Sequence, residues 1–219
     1  MMFRVLLYHQ WKSVRLPLFA LVAVAFAVPL VAMTAIAWDD RFGSSADTAL
    51  YLGASMANVY PLLAAAAGLL MATTAWSADH RGDHVYAMAL PISRSRYAAM
   101  RFGVGVVLLA VPIAALTVGA LAATAMVPIP EGLTAYPAAL GVRFGLAALV
   151  AYAMFFAVSA GTPKTAGYVM LALVAVPLLQ LLLSALGTDI NILRPISFFL
   201  FDTPGPFDIF GGRWMLIDV

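Results

Sequence analysis

The chain has no cysteine among its 219 residues. That excludes a disulfide framework, iron–sulfur ligation and thiol catalysis. Charge is also scarce: Asp, Glu, Lys and Arg make up 10% of the residues, and the net charge is only +2. Nucleic-acid binding therefore has no electrostatic footing. The N-terminus lacks the pattern of a cleaved signal. Charges run through its first fifteen residues, and no short apolar core with an A-x-A site follows. Enzyme motifs are missing too. The segment 161–165, GTPKT, lacks the glycine before lysine that a GxxxxGK[ST] phosphate loop needs, and no HExxH occurs. Any nucleotide hydrolysis must then belong to another chain. No Asp, Glu, His or Lys falls deep in an apolar segment. Intramembrane hydrolases lack their catalytic groups here, and a proton-coupled transporter lacks a titratable residue at mid-depth.

What is abundant is apolar surface, at 64% of the residues. A soluble domain of this length cannot bury so much. The expectation is an all-α integral membrane protein forming a single transmembrane domain. Five spans are expected, over residues 16–38, 49–76, 102–127, 138–160 and 166–186. The first, at helical rise, would reach about 34 Å. Before it, residues 1–15 read as an amphipathic helix lying in the headgroup plane, with Arg4, Tyr8, Lys12 and Arg15 on one side and Phe3, Leu6, Leu7 and Val14 elsewhere. Pro17 is expected in the first turn of the span, where its missing N–H does no harm. Kinks are expected at Pro29, in the middle of the second span at Pro61, and near Pro177; Pro112 lies inside the third span. Residues 187–219 are too broken by proline and glycine for a span and too apolar for a solvated loop. They read as an interfacial or re-entrant cap, in which 213–219, RWMLIDV, looks like the lead-in to a further helix.

Orientation follows from the basic residues. With the N-terminus inside, Arg4, Lys12, Arg15, Arg81, Arg94, Arg96, Arg101 and Lys164 fall inside, against Arg41, Arg143, Arg194 and Arg213 outside. The positive-inside rule favours a cytoplasmic N-terminus. The Ala-rich, Lys-poor composition points to a bacterium, and so to the cytoplasmic membrane of a multi-pass protein.

The longest polar interruption is 77–101, SADHRGDHVYAMALPISRSRYAAMR. His80 and His84 have i, i+4 spacing and stand beside Asp79 and Asp83, but Gly82 between them weakens the helix a metal site would need. The stretch reads instead as a solvated, pH-sensitive loop with no metal. Asp83 can cap a short helix over His84–Leu90, HVYAMAL; Pro91 stops it, and Ser93 caps the next helix. Arg94, Arg96 and Arg101 would then sit at the level of the lipid phosphates. The nearly uncharged run at 84–90 needs either headgroups or a partner protein to cover it.

Inside the spans polarity is mild. Tyr51, Ser55, Asn58, Leu62, Leu69, Thr73 and Trp76 fall near one face of the second span. That face reads either as inter-helix hydrogen bonding or as the lining of a substrate path between two subunits, and Gln180 carries the same two readings. Gly141 and Gly145 form a G-x-x-x-G that permits close packing. Arg143 between them is expected to snorkel to the headgroups.

The run Asp79–Gly82, DHRG, followed by Leu90–Arg94, LPISR, directly before a span, resembles the ABC-2-type transporter permeases, the membrane subunits of ATP-driven exporters. The likeness extends to the layout of basic N-terminal helix, two spans, loop, three spans and outer region. Asp79 stands where the family usually has Glu, and Asp83 where Thr is common. The resemblance implies that His84, Val85, Tyr86, Met88 and Leu90 with Pro91 form a coupling helix docking on a separate ATPase, rimmed by Asp79, Arg81, Arg94 and Arg96. It implies two ATPase subunits, a second permease subunit (the same or homologous), and ATP with magnesium bound by the partner rather than by this chain. It also implies a sixth span, absent from this sequence. The route for an amphipathic drug, peptide or lipid would pass Ser55, Asn58, Leu62 and Gln180 under Phe198 and Phe199. The chain would not itself be an enzyme. The alternatives are an ATP-independent secondary transporter and a non-catalytic accessory or immunity-type protein.

Overall fold

Four long helices carry the fold: α1 (Met2–Asp40), α2 (Val59–Arg81), α3 (Arg94–Met126) and α4 (Pro137–Ser159). The structure, a computed structural model, describes residues 2–40, 58–81, 92–126, 129, 132–160, 168, 171–172, 175–176, 178–180, 182–183, 185–186, 191–202, 205, 207–212 and 214–218. All four helices are long and apolar enough to cross a membrane. The chain is thus an all-α membrane protein in character. Helix is the form such a sequence must take in lipid, because only internal bonds can satisfy the backbone there. Each described residue between 168 and 185 is also helical. A nine-residue helix, α5 (Leu193–Phe201), a 3-10 turn (Asp208–Phe210) and two short strands, β1 (Thr134–Ala135) and β2 (Ile217–Asp218), complete the described elements.

Small residues set the packing. α1 lies mainly on α3, α2 mainly on α4, and α3 meets α4 to join the two pairs. A Cβ on Gly68 of α2 would come within 2.6 Å of the Tyr152 nitrogen and 2.8 Å of the Ala148 oxygen on α4. Gly119 of α3 touches the Phe26 backbone of α1, and Gly141 of α4 touches Thr117 of α3. Between helices of a membrane protein there is little hydrophobic drive, so close backbone approach and dispersion hold the seams. The G-x-x-x-G expectation holds for Gly141. Gly145 meets Ile113 only at an ordinary 3.4 Å.

Three expectations about the helices change. First, residues 1–15 are not a separate helix: α1 runs unbroken from Met2 to Asp40 with Pro17 and Pro29 inside it. Pro17 therefore costs a hydrogen bond to the Ser13 carbonyl rather than sitting harmlessly in a first turn. Around it the Trp11 and Phe19 rings, two turns apart, meet edge to face at 5.7 Å. Second, Pro61 lies in the first turn of α2, not at its middle. Residues 49–57, with Tyr51 and Ser55, are outside the described part. Third, α2 continues past Trp76 to Arg81, so the stretch read as a polar loop begins as helix. The expected start of α3 is found: the Arg96 N–H donates to Ser93 Oγ at 3.4 Å.

Candidate functional site: a cavity roofed by the C-terminal segment

A cavity of about 530 Å³ opens between α2, α4 and the C-terminal segment. α2 supplies Pro61, Leu62 and Ala65 to it, with Asn58 just ahead of the helix. α4 supplies Ala151, Met154 and Phe155. The roof is Leu200 and Phe201 of α5 with Phe207 and Phe210. Ala151 is fourteen residues past Pro137, so the α4 wall of the cavity begins about 21 Å along that helix. Among the described lining residues only Asn58 is polar, and none can titrate. The volume suits a drug-sized apolar molecule. No nucleophile or proton-transfer group lines it among those residues.

The roof is held by its own backbone. After α5 the chain reverses through Gly205, whose N–H donates to the Asp202 carbonyl, and the Phe207 N–H donates to the Leu200 carbonyl at 2.8 Å. The Phe207 ring then lies 6.2 Å from that of Phe201 and 6.4 Å from that of Phe210. The base of α5 is fixed from the preceding stretch: Gln180 Oε1 accepts the Ile192 N–H at 2.7 Å. Asn191 Oδ1 accepts the Arg194 N–H at 2.9 Å.

Beyond the roof, the C-terminal segment clamps onto the loop between α3 and α4. β2 pairs antiparallel with β1, placing Thr134 opposite Asp218 and Ala135 opposite Ile217. The Tyr136 N–H donates to the Leu216 carbonyl at 2.9 Å. Trp214, Leu216 and Ile217 are buried beneath this pairing. Arg143 on α4 ties the two parts together. Its Nη2 donates to the Gly211 carbonyl, and its guanidinium stacks 5.1 Å from the Trp214 ring. Gly212 has φ +72°, and a Cβ there would meet the Arg143 guanidinium at 3.0 Å, so glycine suits the turn on both counts. Arg143 is thus an internal clamp, not a snorkelling residue. Residues 217–218 are strand, so the expected lead-in to a further helix is extended chain at that point.

The far end of the bundle is closed by aromatic and cationic contacts. The Trp76 indole N–H donates to the Phe156 carbonyl at 3.2 Å, with the two rings 5.0 Å apart. The Tyr152 hydroxyl donates to the Phe102 carbonyl at 3.2 Å. Arg101 lies among them, 6% exposed. Its Nε and Nη2 donate to the Tyr97 hydroxyl at 2.9 and 2.6 Å, and its Nη1 donates to the Ala75 carbonyl of α2. The expectation that Arg101 reaches lipid phosphates is therefore overturned. Arg101 shares the face of Arg94 but lies two turns further along α3, about 10 Å, at the level where α2 covers it. Arg94 and Arg96, on the first turn, are exposed.

Of the sequence-derived path residues, Asn58 and Leu62 line the cavity. Gln180 does not; it braces α5. Phe198 and Phe199 are 70% and 73% exposed and point away, while Leu200 and Phe201 face inward. Thr73 is exposed and bonds the Leu69 carbonyl of its own helix at 3.0 Å, so it makes no inter-helix bond there. The expected docking residues His84, Val85, Tyr86, Met88, Leu90 and Pro91 lie outside the described residues, as do the side chains of Asp79 and Arg81. The sequence reading missed Ala65, Ala151, Met154 and Phe155, whose types are those of any apolar span. Comparison with family models, with curated proteins and with solved structures gives no match.

Proposed function

We propose that the chain is the membrane subunit of an ATP-driven exporter, and that the cavity between α2, α4 and the 200–210 roof is part of the route for an amphipathic cargo. The observation that carries this reading is the cavity itself: apolar, lined by one amide, and without a titratable group among its described lining residues. Such a chamber can accept a partly apolar molecule but offers nothing to couple its movement to a proton. Energy must then enter from elsewhere, and the chain has no phosphate loop of its own.

The likeness of DHRG and LPISR to ABC-2-type permeases supplies the place of entry. In this reading residues 84–90 dock on a separate ATPase, with Asp79, Arg81, Arg94 and Arg96 at the rim. Two ATPase subunits bind ATP and magnesium, and a second permease subunit faces the first. The N-terminus lies in the cytoplasm of a bacterium, residues 1–15 act as an elbow at the cytoplasmic face, residues 166–186 form a fifth span, and 187–219 cap the outer side. Movement of the docked helix would pull on α2 and α3, which flank it in sequence.

The test is purification from the native membrane with identification of the subunits. An ATPase should accompany the chain, and Val85→Asp with Met88→Asp should abolish that association while membrane insertion persists. Filling the chamber with Ala65→Phe should leave the association intact and lower cargo-stimulated ATP turnover. A complex that survives the double change sinks the docking role. Cargo stimulation unaffected by Ala65→Phe sinks the role of the cavity.

A further inference from the structure

A second cavity, of about 360 Å³, lies between the start of α1 and the middle of α3. Leu7 and Trp11 form one wall, and Val107, Leu108 and Val111 the other. Arg4 and Tyr8 stand at its edge, both exposed. The hollow lies between two places where α1 meets α3, Phe3 against Gly103 and Phe26 against Gly119.

We propose that this groove is a binding site for an anionic phospholipid, with one acyl chain along Val107 and Val111 and the headgroup phosphate on Arg4. The occupant follows from size and charge. At about 30 Å³ for each water-sized group the space takes roughly a twelve-carbon stretch of chain; its volume is far too small for a helix about 10 Å across. Neither wall carries an acid: α1 has none before Asp39, and α3 has none at all. Lys12 and Arg15 on the neighbouring turns, both exposed, add to the positive field. Arg4 itself has no partner among the described residues. An exposed guanidinium at the mouth of an apolar slot, with aromatic residues beside it, selects a negative headgroup over a zwitterionic one. The inference is independent of the exporter reading, because it requires only that these helices meet a bilayer.

Native mass spectrometry of the purified chain in detergent tests it, with dioleoyl phosphatidylglycerol and dioleoyl phosphatidylcholine as probes sharing the same acyl chains. Phosphatidylglycerol adducts should be retained preferentially. Arg4→Ala should lower that preference about fivefold, the equivalent of about 1 kcal/mol for one cation near the headgroup. Lys12→Ala, outside the groove, should change it less than twofold. Val111→Trp, at a position 43% exposed in the described fold, should fill the slot and remove adducts of both lipids without lowering the melting temperature. Equal retention of the two lipids by the unaltered chain overturns the proposal, and that measurement needs no variant. So does an equal effect of Arg4→Ala and Lys12→Ala, which would mean unspecific attraction. Adducts that persist in a folded Val111→Trp place the lipid elsewhere.

Discussion

Replacing Gly68 by alanine should be the most damaging single-methyl change at the α2–α4 seam. The added Cβ would stand 2.6 Å from the Tyr152 nitrogen, 2.7 Å from the Ala151 Cβ and 2.8 Å from the Ala148 oxygen. Ordinary contact needs about 3.5–4.0 Å. Two of those three atoms are backbone and the third is a Cβ, so no rotamer change can relieve the clash. The helices must part by roughly 1 Å, a gap that forfeits between a quarter and a half of each dispersion contact along the seam. The neighbours at risk are Ala64, Ala67, Ala72 and Ala75 on α2 and Ala147, Ala148 and Ala151 on α4, all buried. Overpacking together with lost contacts comes to about 2–3 kcal/mol. Thermal unfolding of the purified protein in detergent should fall by roughly 5–10 °C. Gly145→Ala is the matched control: its Cβ meets Ile113 at 3.4 Å and beyond, so its effect should stay within about 1 kcal/mol. Equal melting temperatures for the two variants would refute the claim that glycine sets the α2–α4 distance.

Two further outcomes follow from the cationic contacts. Arg143→Ala removes the bond to the Gly211 carbonyl and the stack on Trp214, a loss of about 2 kcal/mol or more. Amide exchange over 214–218 should accelerate roughly thirtyfold by local opening, with Arg143→Lys intermediate; unchanged exchange would mean the strand pairing alone holds the segment. Arg101→Ala leaves the Tyr97 hydroxyl and the Ala75 carbonyl without their shared donor and should destabilise by about 2–3 kcal/mol. Arg94→Ala, on an exposed first turn, should cost less than about 0.5 kcal/mol; equal small effects in thermal unfolding would place Arg101 in the headgroups after all.

Much of the helical layout was legible. The α3 and α4 spans end within a residue or two of the expected bounds, because apolar runs of that length have one stable form in lipid. Ser93 was legible as a cap because the bond it accepts is local, three residues away. What could not be read was direction. Arg101 and Arg143 each have a bland surface reading, yet Arg101 is turned onto the Ala75 carbonyl of α2 and the Tyr97 ring of its own helix, and Arg143 onto the Gly211 carbonyl and the Trp214 ring of the C-terminal segment. Phe198, Phe199, Leu200 and Phe201 are four apolar residues in a row, and nothing in their order says that the last two roof a cavity. Gln180 looked equally fit for a path or a helix contact; only its distance to the Ile192 N–H decided.

Composition and run length by themselves determined the class of this protein: apolar helices, little charge, no catalytic or nucleotide motif. The tertiary structure decided which face of each helix looks inward. The physical reason is that hydropathy separates water from lipid but does not separate lipid from a neighbouring helix, since both are apolar. Inside the bundle the choice falls to where a missing Cβ lets two backbones meet, as at Gly68 and Gly119, and to where a cation finds a carbonyl, as at Arg143. Neither is a property of one segment, so neither is written in its periodicity.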